Sequence, residues 1–546
     1  MPEELQPTAP PRSAVLDPAH EGEIRGALGT IPKWESDRPR PLSRRLLTLA
    51  AIMGPGLIVM VGDNDAGGVS TYAQAGQNYG TSLLWVLVLL IPTLIVAQEM
   101  VVRLGAVTGV GHARLIKERF GTFWAAFSVG DLFLLNFLTL VTEFIGVNLG
   151  LRYFGVTPLA SVPIVAAGLL AMVATGSFQR WERFMFVFIV TSLLMFPLAA
   201  LSHPRIAPVL TGLTHPGVSS GFDSTSVLFI IAVVGTTIAP WQLFFQQSNV
   251  IDKRITTRWL KYELADTTIG AVLTTAGAGA LMVATAFAFS HSSLAGQFGS
   301  GLTVAEGLSR RSGSASGAIF AVILVNASVI GASAVTLATS YALSDIFGLK
   351  HSLHRGVRDA KGFYISFAAM IALAAGIVLI PGAPLGLMTT GVQVLAGVLL
   401  PSAIVFLLLL CNDAEVLGPW VNTARQNVVA TVIVAVLVLL SLILTVTTVF
   451  PSIPLGPFTA VAVVLGAFGL GWMGVVSRRR RGADTERERT VTGDRHVWRM
   501  PPLAELKPPV WSRGQRIGMI ALRGYLVVAV VLLAVKIGQL ASGHSG

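Results

Sequence analysis

Apolar runs of about 20 residues recur along almost the whole of this 546-residue chain, near 46–78, 81–104, 122–152, 158–176, 181–201, 226–248, 265–290, 316–346, 362–380, 388–411, 426–450, 457–477 and 516–539. A helix of that length crosses the hydrocarbon core of a bilayer, roughly 30 Å thick. The pattern therefore predicts an all-α polytopic membrane protein with thirteen spans, twelve to fourteen at the limits. Hydrophobic residues make up 53% of the chain and charged residues only 12%, so one helical bundle absorbs most of it.

The net charge of +11 could suggest nucleic acid, but the basic residues sit in short clusters between apolar runs. If the tail bearing Arg40, Arg44 and Arg45 is cytoplasmic, alternation places Arg103 to Arg119, Arg180 with Arg183, Lys253 to Lys261, Lys350 to Lys361 and Arg478 to Arg481 on the same side. The opposite loops carry few such residues, with Arg310 and Arg311 the main exceptions. That is the positive-inside pattern of a membrane protein. The expected setting is the plasma membrane, with a cytoplasmic N-terminus and the lipid bilayer, not nucleic acid, as partner.

Residues 1–36 are polar and rich in proline and charge, with no apolar stretch of signal-peptide type, and read as a disordered cytoplasmic tail. Residues 478–515 read as a cytoplasmic basic loop before a final span at 516–539. Cys411 is the sole cysteine, which excludes an internal disulfide and a thiolate metal cluster. No nucleophile–base pair, phosphate loop or zinc spacing is visible, so an enzyme is not expected.

The first run is interrupted. Between Gly54 and Gly76 it carries Asp63-Asn64-Asp65-Ala66-Gly67-Gly68. A charge at bilayer depth costs about 2.5–3.5 kcal/mol or more on insertion scales, so it usually faces a bundle interior or a water-filled cavity. The sixth run is interrupted in turn by Gly235-Thr-Thr-Ile-Ala239-Pro240-Trp241-Gln242. A proline removes one helical hydrogen bond and clashes with the preceding turn. Matching breaks five spans apart point to a transporter of inverted repeats with its site at midplane, and freed carbonyls there are hard oxygen ligands for a cation. Pro240 alone could equally mark a packed kink.

These residues resemble the Nramp (natural resistance-associated macrophage protein) divalent-metal transporters. Gly54-Pro-Gly, Asp65-Ala-Gly-Gly and Gln74-Ala-Gly76 look like the family's first helix, whose motif reads Asp-Pro-Gly-Asn. Gln98-Glu99-Met100 with Arg103 to Gly109 looks like its second, and Thr142-Glu143-Phe-Ile-Gly146 like its third. Gly235 to Ser248 is similar to its sixth, where the family has Met-Pro-His-Asn, and Gln393-Val before Pro401 to its tenth. The resemblance runs from about residue 46 to 411 and implies the LeuT-type fold, with inverted five-helix repeats over 46–201 and 226–411, in which the interrupted runs are broken helices one and six; the apolar runs over 426–477 add two further helices.

The departures bear on chemistry. The family's methionine is Ala239 here, its proline Ala66, its asparagine Gly68 and its sixth-helix histidine Trp241, while Asp63 is an additional acid. This combination is nearest the Nramp-related branch associated with magnesium transport. Asp65 is the first candidate metal ligand and Asp63 the second, against an N-cap or network role. Gly62 and Thr236 would offer carbonyls, Gln242 and Gln393 amide oxygens, and Gly68 and Ala239 would leave room. For Gln393 an interhelical hydrogen bond is the bland alternative.

A thioether favours soft transition metals, and its loss at Ala239 leaves hard oxygen ligands. Such a site suits partly hydrated Mg²⁺ and still admits Mn²⁺. Trp241 cannot titrate where the family has an imidazole, which predicts weak or absent proton coupling. Glu143 could still carry a proton; Glu99 is expected in a structural network with Arg103, and Asp131 is left open. The expected function is an alternating-access importer of Mg²⁺ or Mn²⁺, weakly or not proton-coupled, the metal being cargo, with no cofactor; the oligomeric state is left open, a monomer being compatible with the sequence. Alternatives are a proton-coupled Mn²⁺/Fe²⁺ transporter, a Na⁺-coupled organic-solute symporter and a membrane-embedded sensor. Two aspartates would repel a substrate carboxylate, and the longest polar segments, 1–36 and 478–515, are too short and irregular to serve as a sensor's output domain.

Overall fold

The computed structural model describes residues 14–15, 17–32, 41–218, 221–222, 224–290, 292–380, 385–449 and 498–507, with positions 461, 464, 495, 509, 518, 520, 524 and 527 besides. The described chain is almost all helix. After a short hairpin, β1 (Ile24–Gly26) and β2 (Gly29–Ile31), come α1 (Leu42–Ile52), α2 (Pro55–Gly62), α3 (Ala66–Tyr79), α4 (Leu84–Thr108), α5 (His112–Phe120), α6 (Thr122–Tyr153), α7 (Pro158–Val173), α8 (Phe178–Ser192), α9 (Met195–Leu201) and α10 (Ile206–Thr214). The second half runs α11 (Ser224–Thr237), α12 (Pro240–Asp252), α13 (Leu260–Phe289), α14 (Gly301–Ser312), α15 (Ser314–Phe347), α16 (Lys361–Val378), α17 (Leu385–Cys411), α18 (Ala414–Leu417) and α19 (Ala424–Val449).

The expected span 46–78 falls on three helices, α1 to α3, and each later one up to residue 449 falls on one helix or on a broken pair. Among the described residues eight helices are long and apolar enough to cross a membrane, or nine if the bent pair α1–α2 is one span. Apart from positions 461, 464, 518, 520, 524 and 527, the expected spans 457–477 and 516–539 lie outside the described residues. The apolar side chains left exposed, such as Leu159, Ile164, Val187, Val190, Ile365 and Leu373, stand on the outer helices. On a polytopic bundle these face lipid and not water.

The centre is built by α6 and α15. The buried face of α15 is rich in Ala, Gly, Ser and Thr, which lets neighbouring backbones approach closely. Its hydroxyls turn back onto their own helix: Ser328 donates to the Leu324 carbonyl at 2.7 Å, Thr336 to Ala332 at 2.6 Å and Ser340 to Thr336 at 2.9 Å. A buried hydroxyl satisfied this way packs as a small apolar group.

One expectation is corrected. Residues 17–32 are not disordered: a 3-10 turn at Pro18–His20 is capped by Asp17, and β1 pairs antiparallel with β2, Ile24 opposite Ile31. Ile24 and Ile31 are buried against the bundle. Residues 1–13 and 33–36 lie outside the described part.

Candidate metal centre

Both expected breaks form, each for a local reason. α2 stops at Gly62, and the chain turns through Asp63 and Asn64 before Asp65 starts α3 as its N-cap, extended at φ −69° and ψ −178°. The Asp65 carboxylate accepts from the Gly68 amide at 2.6 Å, the usual device by which an aspartate satisfies a helix's orphan donors. In the second half α11 ends at Thr237, and Ala239, extended at φ −102° and ψ 149°, precedes Pro240 at the start of α12. Pro240 has no N–H, so the Thr236 carbonyl loses the donor four residues on. The Gly62 carbonyl loses its own, because the Ala66 amide donates to Glu143 Oε2 at 3.1 Å.

The two breaks meet at the first turn of α3, where close approach requires glycine. A methyl group at Gly67 would fall 1.7 Å from the Gln393 amide and 3.3 Å from Asp65 Oδ1. One at Gly68 would fall 2.7 Å from the Asp63 carbonyl and 3.0 Å from the Thr236 hydroxyl. Gly235 brings α11 into backbone contact with α17 beside Gln393, and the Tyr72 hydroxyl joins Thr237 Oγ1 at 2.8 Å. Asp63, Asp65, Thr236 and Gln393 therefore share one buried place, each no more than 3% exposed.

Their partners divide them. Neither carboxylate oxygen of Asp63 finds a hydrogen-bond partner among the described residues, and nor do Thr236 Oγ1 and Gln393 Nε2. An unpaired buried carboxylate is expensive, and a bound cation is one partner that would offset its burial. Asp65, by contrast, already caps α3. Gln242 is engaged on the break itself: its Nε2 donates to the Thr237 carbonyl at 3.2 Å, and its Oε1 accepts from Gln98 at 3.2 Å. Ala239 contributes only a methyl group. The Trp241 ring covers Gly62, where an added methyl would meet its edge at 3.1 Å.

The outer acids separate similarly. Glu143 lies beside Asp65 with Gly331 of α15 between them, and its Oε1 has no partner among the described residues. Glu99 pairs with Arg103 at 2.9 Å, and Arg103 also donates to the Trp420 carbonyl and to Asn422, the structural network expected of it. Asp131 sits twelve positions before Glu143 on α6, about 18 Å along the axis, and does not reach the breaks.

Sequence reasoning passed over three acids and read Lys253 only as one of a basic cluster. Asp266 of α13 accepts from the amides of Gly54, Gly56 and Leu57 at 2.9, 2.8 and 3.3 Å and so caps α2, which leaves α1 at 53° across Gly54. Glu263 accepts from Gln246 at 3.1 Å, and Glu182 pairs with Lys253 at 2.6 Å with both side chains fully buried. The signal was present, since each charge lies within or at the end of an apolar run. Asn64 also has a role: it donates to the Thr274 carbonyl at 3.1 Å and anchors the break to α13.

The sequence signature of the natural resistance-associated macrophage protein-like family matches residues 56–447. A divalent metal cation transporter MntH of Aeromonas hydrophila is 27% identical over 412 residues, covering 71% of this chain and 93% of that protein. One from Klebsiella pneumoniae is 27% identical over 409 residues, covering 72% and 92%. The crystal structure of a manganese transporter from Eremococcus coleocola superposes with a TM-score of 0.62 at 22% identity, covering 81% of this chain and 97% of that one, which is likeness of fold.

Proposed function

Because the chain belongs to the natural resistance-associated macrophage protein-like family, and its relatives are divalent metal cation transporters, we propose that it imports Mg²⁺ or Mn²⁺ by alternating access, with little or no proton coupling. The observation that carries this reading is the Asp63 carboxylate, buried at the junction of two helix breaks with both oxygens unpartnered among the described residues. Asp63 is the principal ligand. Asp65, the Gly62 and Thr236 carbonyls, the Thr236 hydroxyl and Gln393 complete an oxygen-rich shell once the Gln393 amide turns about its last torsion. Gln242 braces the α11 end, and Gly68 and Ala239 leave space for retained water.

An all-oxygen shell with no thioether selects hard cations, and Mg²⁺ keeps several waters when protein-bound. The basic loops face the cytoplasm and the bundle sits in the plasma membrane. A divalent ion moving inward across 100 mV gains about 4.6 kcal/mol, enough to drive uptake without a proton. Glu143, unpartnered at one oxygen and beside Asp65, supports the second reading, in which a proton route persists without the sixth-helix histidine.

The deciding experiment is uptake into proteoliposomes with Mg²⁺, Mn²⁺ and Ca²⁺ compared and internal pH followed in parallel. Import of Mg²⁺ or Mn²⁺ without acidification is expected. Acidification in step with metal at zero membrane potential would establish the coupled reading, and uptake undiminished in Asp63→Ala would remove the site assignment.

A further inference from the structure

The hairpin segment lies before the part of the chain that matches the family, 56–447, and it ties together elements that a transport cycle must part. Its turn rests on α1: a methyl group at Gly26 would meet the Ala51 carbonyl at 2.0 Å, and one at Gly29 the Ala51 side chain at 3.0 Å. On the α8 side, Ala27 N donates to Glu182 Oε2 at 2.5 Å, and Gln179 Nε2 donates to the Gly26 carbonyl at 2.9 Å. Just beyond α12, Arg254 donates to the carbonyls of Ala19 at 2.9 Å and Glu23 at 3.1 Å. Arg355, in the loop before α16, donates to Asp17 at 3.0 Å.

Beneath the hairpin, Glu182 serves two partners at once. One oxygen holds Ala27 and the other holds Lys253, whose Nζ also donates to the Met53 carbonyl at 2.8 Å, at the bend between α1 and α2. The basic end of the bundle is thus closed by a run of bonds from the hairpin through Glu182 and Lys253 to the start of α2. For a metal at Asp63 to leave through that end, α1 and α2 must separate from α8 and α12. Their parting is opposed while one segment packs on α1 and is hydrogen-bonded to α8, to Arg254 just beyond α12 and to Arg355.

We propose that residues 17–32 are a strap that holds the cytoplasmic gate shut, and that its release from Arg254 and Arg355 is a required step in opening the metal path inward. This names a regulation of the transport site and rests on the transporter reading above, with the basic end cytoplasmic. Control of the gate by the strap needs only that the four attachments share one segment, because strain on any one is transmitted to α1 through Gly26 and Gly29.

The test places a cysteine at Ile58 in a Cys411→Ser background. Ile58 lies one turn from Gly62 on the same helical face, toward the basic end, and Gly62 meets Trp241 of α12; a parting of α2 from α12 exposes it. In inside-out vesicles, Arg254→Gln with Arg355→Gln is expected to raise the rate of labelling by an impermeant maleimide about tenfold, through a shift in gate population. In a second arm, Asp17→Cys with Arg355→Cys, bridged by a reducible bifunctional thiol reagent, is expected to slow Mn²⁺ uptake about tenfold. Reduction of the same sample restores it and serves as its own folding control.

Unchanged labelling overturns the proposal, and so does uptake indifferent to the bridge. The labelling arm uses no metal, so absence of uptake by the unmodified protein would remove the transporter reading without touching the strap.

Discussion

The helix breaks and the Glu182–Lys253 pair beneath the strap are both polar regions buried in an apolar bundle, and they differ in how their polar atoms are satisfied. At the breaks, Asp63, Thr236 and Gln393 keep atoms without partners among the described residues. At the basic end, Glu182 has both oxygens filled and Lys253 holds two acceptors. Burial magnifies electrostatic interaction in both. Full satisfaction makes a lock whose loss is costly, whereas open valence makes a site whose stability improves when a ligand arrives. Charge type alone would not have separated them, since each region contains carboxylates.

The sharpest test of this difference is substitution at its two poles. Asp63→Ala is expected to lower metal uptake at least about a hundredfold while leaving thermal stability of the metal-free protein unchanged or higher, because an unpaired buried charge is removed. Asp65→Ala, which also deletes an N-cap, should lose both uptake and about 1 kcal/mol of stability; uptake assays and thermal unfolding in detergent read both. Glu182→Ala should behave oppositely to Asp63→Ala, destabilising by about 3–5 kcal/mol because Lys253 is left buried without its counter-charge. An Asp63 variant that melts early, or a Glu182 variant that does not, would break the comparison. A smaller effect is expected at the rim of the breaks. Ala239→Met supplies a thioether, and about a tenfold shift of preference from Mg²⁺ toward Mn²⁺ in a competition assay would follow from its softness. No shift would mean that side chain does not reach the ion.

The fold was legible because bilayer length is a strong signal, and the breaks were legible because the Asp63-to-Gly68 stretch and Pro240 interrupt two apolar runs five spans apart. The division of labour between the two aspartates was not. Asp65 matches the family motif and Asp63 does not, yet only coordinates reveal that Asp65 spends an oxygen on Gly68 while Asp63 spends none. Gln242 could be placed at the break, but its amide direction depends on Gln98, 144 positions earlier. The strap was hidden for a different reason. Its composition is that of a disordered tail, and it is held by carbonyls accepting from Arg254 and by isolated bonds at Asp17 and Ala27, which leave no periodic trace. Asp266 and Glu182 were visible as charges in apolar runs, but their partners, backbone amides and a distant lysine, were not.

The smallest effect expected at the basic end is a pH dependence, and its sign follows from one imidazole outside the spans. Burial alone would push the His351 ring down, but its hydrogen bond to Asp345 and that carboxylate's charge outweigh burial and push it up to about 9; the ring nitrogen stands 3.2 Å from Asp345. A group raised in the folded state above its unfolded value, about 6.5, contributes stability that is complete below that value and is lost as pH rises through about 9. The comparison is between the protein and His351→Gln. Their melting temperatures should differ most below about pH 6.5, by about 2 °C, and converge as pH approaches about 9. Because His20 faces both His351 and Asp252, the same series in Arg355→Gln separates the contribution of the ion pair from that of the strap. A gap that widens with pH would mean that His351 is neutral against Asp345, and that the closed basic end does not draw on its charge.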